Sequence, residues 1–236
     1  MAAVDRARAA AETQMEVAKA LPPAYLREVF ESEEARGWPM RRIGDIAHVQ
    51  SGYAFRSEWY ATAGVRLLRN VNVLQGFVDW SDTAFLPEPM RPAFSAYELR
   101  AGDLIMALDR PVTKAGLKLT RLADADVPAL LVQRVARFLP LSGTDDSYLW
   151  FALQSRRFLN AITAHEQSLA VPHILSGQVA AVQIPLPDLV SQRGLAAKLA
   201  LRMAAADPAR AAAEAQLAGV GHLPSAILRR AFQGEL

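Results

Sequence analysis

The sequence predicts an α+β fold, in which a mixed α/β domain lies between helical segments and the long helices form an antiparallel, coiled-coil-like region. Three observations lead there. Both ends of the chain are rich in strong helix formers and carry the same residues in the same order. Between residues 38 and 187, short β-rich runs alternate with turn residues. From Asp188 onward the apolar residues return to helical spacing.

At the N-terminal end, residues 1–37 read as a helical segment. Shifted by 202 positions, they match the C-terminus without a gap. Asp5, Ala7 to Glu12 with one mismatch-free run, and Gln14 meet Asp207, Ala209 to Glu214 and Gln216. Leu21, Pro22, Ala24, Leu26, Arg27, Phe30 and Glu33 meet Leu223, Pro224, Ala226, Leu228, Arg229, Phe232 and Glu235. That is 15 identities in the 30 pairs from 5/207 to 34/236. The alanine matches follow from composition, but Leu-Pro-x-Ala-x-Leu-Arg-x-x-Phe does not. In each copy the Leu and Phe, Leu26 with Phe30 and Leu228 with Phe232, lie four apart on one helical face. Each copy is expected to break at its Leu-Pro and restart with proline in the first turn. A short amphipathic helix of this kind needs a partner to cover its apolar face, either the other copy or the longer helix upstream.

In the middle segment, residues 38–187, strands are expected at Ile43–Val49, Val65–Leu68, Phe77–Trp80, Asp103–Leu108, Leu130–Phe138 and Val182–Ile184. Ser51-Gly52, Gln75-Gly76, Ala101-Gly102 and Leu139-Pro140 punctuate them. One helix is expected over Asp146–Ala164, capped by Asp145 or Asp146, and a short one over Pro172–Gly177. After Pro185-Leu186-Pro187, residues 188–236 read as helix, with Leu189, Leu195, Leu199, Met203 and Ala206 as the stripe. Asp207-Pro208 is a helix restart or a kink.

Composition excludes several classes. No run approaches a membrane-spanning length, and Met1–Gln14 lacks the apolar stretch of a secretion signal. The chain has no cysteine, which removes disulfides and thiolate metal sites and fits a reducing cytoplasm. The net charge is +2. Residues 1–37 carry 5 basic and 7 acidic side chains, residues 38–187 carry 15 and 13, and residues 188–236 carry 6 and 4. Binding to nucleic acid therefore has to come from a local patch rather than from bulk charge. There is no Asn/Asp-Pro-Pro-Tyr/Phe methyltransferase motif and no Gly-Lys-Ser/Thr phosphate loop. His48, His165, His173 and His222 are scattered, and Asp124 and Asp126 lack a placed partner, so neither a metal nor a catalytic centre is expected.

The order of these features resembles the specificity subunit of type I restriction-modification systems. Gly37-Trp38, then Ile43-Gly44-Asp45-Ile46-Ala47 and Ser51-Gly52, looks like the start of that family's target-recognition domain. Ala101-Gly102-Asp103-Leu104-Ile105 looks like its mid-domain Gly-Asp strand. Ile184-Pro185-Leu186-Pro187-Asp188-Leu189 with Gln192 looks like its exit into the helical conserved region, and Ser225–Leu236 like the end of that region. One departure is Ser191, where the family usually has Glu. Another is that full-length members carry two recognition domains, whereas this chain carries one. The end repeat fits that picture, because the N-terminal segment corresponds to the end of a conserved region and residues 188–236 to a complete one.

The resemblance implies a non-catalytic DNA-binding chain without a cofactor of its own, S-adenosylmethionine belonging to a partner. It implies adenine-N6 methyltransferase subunits and restriction/translocase subunits as partners on double-stranded DNA. It also implies pairing of a single-domain chain with itself, each copy reading half of a bipartite site. Base edges and phosphates are read by Arg, Lys, Asn, Gln, Ser and Thr. The candidate DNA contacts are Arg56, Ser57 and Tyr60; Arg69, Asn70 and Asn72; Arg110, Thr113, Lys114 and Lys118; and Gln167, Ser168 and His173. Candidate partner-binding positions are Gln192, Leu195, Leu199, Met203, Leu228 and Phe232, with Leu26 and Phe30; intramolecular packing is the competing reading for these. The alternatives for the whole chain are a recognition module for a restriction class whose partner carries both methylation and cleavage, or a helical scaffold that binds no DNA.

Overall fold

The computed structural model describes residues 2–168 and 173–233, with side-chain surroundings given for 4–164, 173–221 and 233. Helix α1 spans Ala2–Phe30 and a single turn, α2, spans Glu33–Arg36. Strand β1 (Met40–Arg42), a helical turn α3 (Ile43–Ile46) and β2 (Ala47–Ser51) follow. Then come β3 (Val65–Leu68), β4 (Ala84–Leu86), β5 (Leu104–Ala107), the hairpin β6 (Val112–Thr113) and β7 (Gly116–Leu117), β8 (Leu119–Arg121), β9 (Ala129–Leu131) and β10 (Val135–Pro140). Helices α4 (Asp146–Leu153), α5 (Arg156–Ser168) and α6 (Ser176–Ala181) precede β11 (Gln183–Pro185) and the long helix α7 (Leu189–Phe232).

The central sheet is antiparallel, in the order β2-β10-β5-β8. Strand β5 organises the interior because all four of its residues are buried. Side chains alternate across a strand. Leu104 and Met106 therefore enter a core shared with α3 to α6 and the facing ends of α1 and α7. Ile105 and Ala107 enter a second core with Leu68, Leu131 and Val135. A smaller sheet, β4-β3-β9, joins β3 and β9 in parallel and carries an aromatic cluster of Tyr53, Phe55, Trp59 and Phe94.

Helices α1 and α7 pack antiparallel. Glu28 near the end of α1 pairs with Lys198 and Arg202, while Met15 and Ala18 near its middle meet Ala213 and Leu217. Among the described residues of α7 the buried positions are Gln192, Ala196, Leu199, Ala206 and Ala213, with Met203 and Leu217 half-buried between and beside them. Their steps of four, three, four, three, seven and four form a heptad seam. Leu195 lies beside this seam, not on it.

Several expected elements differ. Ile43–Val49 is not one strand: Ile43–Ile46 turns helically, tied by Ile43 N–H to the Val182 carbonyl at 2.9 Å, and the strand starts at Ala47. Phe77–Trp80 forms a loop rather than a strand, because Asn72 holds the backbone there by side-chain bonds. Leu130–Phe138 splits at 132–134 into strands of two different sheets. The expected Asp146–Ala164 helix is two helices, broken where Ser155 turns its hydroxyl to the Ala152 carbonyl and then accepts from Phe158 N–H; Asp145 is the cap of the first. The short helix lies at Ser176–Ala181, later than expected, and Pro172 is outside the described residues. Both Leu-Pro sites and Asp207-Pro208 lie inside unbroken helices. Proline costs an internal helical hydrogen bond; the mutual burial of the α1–α7 seam opposes that cost.

Candidate nucleic-acid interface

The strand register sets the end of the central sheet at which the functional loops gather. Ser51 at the end of β2 stands opposite Ala136, Ala107 at the end of β5 opposite Val135, and Leu119 at the start of β8 opposite Met106. The loops that follow or precede these residues therefore leave the sheet together. Hydrogen bonds then bind the loops to one another. Gln133 N–H donates to the Tyr53 carbonyl at 2.8 Å, Leu108 N–H to Arg134 at 2.9 Å, and Ile174 N–H to Leu108 at 2.8 Å. The Asn70 side chain clasps Asp109 from both sides, donating to its carbonyl and accepting from its N–H, each at 3.0 Å. The Gln75 amide donates to Thr113 Oγ1 at 2.8 Å and to the Gly116 carbonyl at 3.0 Å, fixing the β6–β7 hairpin.

The Ser51-Gly52 turn has a steric cause. A Cβ at Gly52 would sit 2.2 Å from the Val132 carbonyl carbon, so only glycine allows β2 to run against 132–133. The Gly102-Asp103 pair has a second cause. Gly102 takes φ +89°, and Asp103 accepts from Arg100 N–H at 2.8 Å while pairing with the buried Arg137 at 3.0 Å. Arg137 also donates to the Glu98 carbonyl and to Gln50, so its buried charge is fully engaged.

The loop end of the sheet separates the expected DNA contacts into groups. Arg56 is exposed with its guanidinium over Trp59 at 5.4 Å, Ser57 is exposed at a single turn, and Tyr60 is 37% exposed. Arg110 is exposed in a left-handed conformation at φ +45°, and Lys114 is exposed at the hairpin tip. Thr113 is exposed but closes the hairpin, accepting from Ala115 N–H and donating to the Gly116 carbonyl. His173 is half-buried, pairs backbone to backbone with Asp109, and has a buried Nδ1 without a hydrogen-bond partner. Gln167 and Ser168 end α5, and their side chains lie outside the described set.

Four expected contacts are engaged within the fold. Asn72 is 1% exposed: its oxygen accepts from Arg69 N–H and its nitrogen donates to the Asp79 and Asp82 carbonyls, so it builds the loop. Arg69 is folded onto Asp82 in an ion pair of 2.9 Å. Asn70 is committed to Asp109. Lys118 is 9% exposed and engaged. Two exposed residues of the same end went unnoticed in the sequence, Gln133 and Arg134. They fall inside what reads as one continuous strand, and only the break between β9 and β10 turns them outward.

The expected partner-binding positions differ in burial. Leu26, Phe30 and Leu199 are buried in the chain's own core, Phe30 with its ring centroid 5.6 Å from that of Tyr148. Leu195 and Met203 are half-buried against the same core. Gln192 is 1% exposed and satisfied: it accepts from Asp145 N–H at 2.8 Å and donates to the Pro187 and Gly143 carbonyls at 2.8 and 3.1 Å. It is a brace between the start of α7 and the cap of α4. The Ser191 departure is accommodated there, since its hydroxyl donates to Asp188 at 2.6 Å, and that bond, with the Ser191 and Val190 amides, holds the Asp188 carboxyl below its ordinary range. Leu228 and Phe232 lie outside the described side chains.

No protein-family model matches the chain. Curated proteins do. The chain is 37% identical over 199 residues to the type I restriction enzyme EcoAI specificity subunit of Escherichia coli, covering 84% of this chain and 33% of that protein. It is 31% identical over 163 residues to the MjaVIII specificity subunit of Methanocaldococcus jannaschii, covering 69% and 38%. The chain belongs with the type I restriction specificity subunits. It spans between a third and two fifths of the curated subunits it matches. Among solved structures, a chain from a type I restriction-modification assembly study overlays all of it at TM-score 0.77 and 20% identity, with 57% of that chain covered. The HsdS subunit from Thermoanaerobacter tengcongensis overlays at TM-score 0.61 and 22% identity, with 56% covered. These likenesses establish the specificity-subunit fold, mixed helix and sheet with long helices at both ends. Among the described residues no acid-histidine cluster could hold a metal, and no helix is long and apolar enough to cross a membrane.

Proposed function

We propose that this chain is a non-catalytic DNA-recognition subunit that reads one half of a bipartite site in double-stranded DNA. Residues 38–187 serve as the target-recognition domain. Residues 1–37 and 188–236 serve as the helical region that sets spacing and receives adenine-N6 methyltransferase subunits, which bring S-adenosylmethionine; restriction/translocase subunits join that complex. The observation that carries the reading is the gathering of loops at one end of the central sheet, with Arg56, Arg110, Lys114 and Arg134 exposed there against the carboxylates of Glu58 and Asp109. A local cationic patch of this kind supplies phosphate contacts that a net charge of +2 does not. Exposed Ser57, Thr113 and Gln133 supply donors and acceptors suited to base edges.

A second copy of the chain reads the other half-site. The feature that favours this is a groove of about 440 Å³ along the α1–α7 pair, lined by Thr13, Val17, Leu21, Ala209, Ala212 and Ala213 among others. Its small residues permit close helix approach, and Val17 is 59% exposed there. A two-fold pair of chains makes the site palindromic. The test is binding of the full chain, with its methyltransferase partner, to duplex DNA over a range of salt. The reading expects affinity that falls log-linearly with salt and favours one motif; salt-independent or motif-blind binding contradicts it.

A further inference from the structure

Beside the loops already described lies a cleft of about 140 Å³, lined by Ser51, Leu108, Gln133, Arg134, His173, Ile174, Leu175 and Ser176. It is too small for a cofactor or drug-sized ligand, whose pockets run to about 300–1,000 Å³. Its frame is rigid. Leu108 is bonded on one side to the Arg134 carbonyl and on the other through Ile174 N–H, so the backbones bearing Arg134 and His173 are locked to one strand end. Gly52 packs directly under Val132 and Gln133, which holds that corner against β2.

The polar groups lining the cleft are donors or can act as donors: the Arg134 guanidinium, the Gln133 amide, the Ser51 and Ser176 hydroxyls and the His173 imidazole. Among the described residues no carboxylate lines it. Asp109 pairs with His173 backbone to backbone and is not among the lining residues. Among the described residues Arg134 forms no ion pair, whereas Arg69, Arg121 and Arg137 elsewhere in the domain are paired with carboxylates. At the wall, His173 Nδ1 is buried without a hydrogen-bond partner among the described residues.

We propose that this cleft seats one phosphate of the DNA backbone, with Arg134 as its guanidinium contact and Gln133 and His173 bounding the seat. The assignment rests on the DNA-recognition reading above and adds a specific role. A guanidinium fork matches a phosphate's oxygens in a two-point contact. Phosphate contacts fix register without carrying sequence information. Seated beside the Arg110 and Asn70 loops, such a contact positions the base-reading side chains over their half-site.

The experiment compares wild-type chain with Arg134→Ala and Arg134→Lys, each complexed with the methyltransferase partner, on a duplex carrying the recognised motif and on a scrambled duplex. Arg134→Ala is expected to weaken both duplexes by the same several-fold factor and to reduce the log–log salt slope by about one. Arg134→Lys is expected to restore the slope but only part of the affinity, because charge returns without the fork. A duplex with an uncharged methylphosphonate at the contacted position is expected to cost the wild type affinity and to cost Arg134→Ala nothing. Thermal melting of each variant checks folding, and Arg134 is exposed enough that melting stays unchanged. Unchanged affinity and slope in Arg134→Ala overturn the phosphate seat. So does a loss confined to the motif duplex with altered base preference, which makes Arg134 a base reader. So does binding of inorganic phosphate at the cleft that leaves DNA affinity untouched in every variant. If the wild-type complex itself shows no motif preference, the underlying DNA-recognition reading fails instead, and the two failures are told apart by that control.

Discussion

Gln192 carries three buried hydrogen bonds from one side chain, and its consequences are calculable. Truncation in Gln192→Ala leaves the Asp145 N–H and two carbonyls without their partner. An unmet buried polar group costs about 1–3 kcal/mol, so the variant is expected to lose about 2–3 kcal/mol in chemical denaturation. A stability change below about 0.5 kcal/mol contradicts the bracing role and returns Gln192 to a docking surface. Arg137 is a second such residue. Replacing it by Met strands Asp103 in the interior, and breaking a buried pair of this kind costs about 3–5 kcal/mol. The double replacement Arg137→Met with Asp103→Asn is expected to recover part of that loss, read in the same denaturation experiment. At this scale the sequence was least transparent. The Ser51-Gly52, Gly102-Asp103 and Gln192 positions stood out as landmarks, but their physical work depends on what the fold brings beside them. Asn72 and Lys118 read as surface polar residues because residue type says nothing of the loop that wraps around them. Arg134 was hidden by a run of strand-forming neighbours.

The helices α1 and α7 are the elements whose behaviour is most open to test. Glu28 binds α1 to α7 through Arg202 and Lys198, and the hydrogen bond from Arg202 holds its carboxyl below the ordinary glutamate value of 4.5. A lowered folded-state value means the ionised form is the one the fold favours. The contribution is present above about pH 4.5 and is lost as pH falls through the lower folded value. Glu28→Gln is therefore expected to reduce stability at neutral pH and to make no difference in strong acid, measured by melting against pH. Equal effects at both ends of that range contradict the ion pair's role. The groove between the same helices gives a second test. Val17→Glu with Ala212→Glu places charge where the second copy is proposed to sit, and an unpaired charge in an apolar contact is expected to weaken pairing at least about tenfold. Sedimentation reads this directly, and an unchanged oligomer contradicts that surface. The helical ends were legible from composition and from the repeat, because heptad-spaced small and apolar residues have few other uses. Their continuity was not. Pro22, Pro23 and Pro208 read as breaks locally, and the mutual seam that carries the helices past them is a long-range property. The strands were legible only roughly, since short buried runs such as Leu130–Phe138 do not reveal that they change sheets midway.

For the whole molecule, a mixed α/β domain rests on a helical pair, and the proposed function depends on where that arrangement delivers its loops. Helix α7 has 44 residues, a length on the order of 65 Å. A rod of that length is well suited to hold two recognition domains at a fixed separation along DNA. Gly37-Trp38 and Pro185-Leu186-Pro187 mark junctions between the sheet domain and the helices, whereas Ser51-Gly52 and Gly102-Asp103 lie within the sheet domain. Which loops gather at one end of the sheet was not conveyed by the sequence, because it depends on strand register and on side-chain bonds between distant segments, such as Asn70 with Asp109. The central claim is that the chain specifies a DNA sequence. Its most direct test is a genome-wide map of N6-methyladenine in a methylation-free host that expresses this chain with its methyltransferase partner. The account predicts methylation at a single bipartite motif whose halves are palindromic, reflecting two copies of one chain. An asymmetric motif would contradict the pairing of identical chains. The absence of any motif, with the methyltransferase shown to be active, would contradict the claim itself.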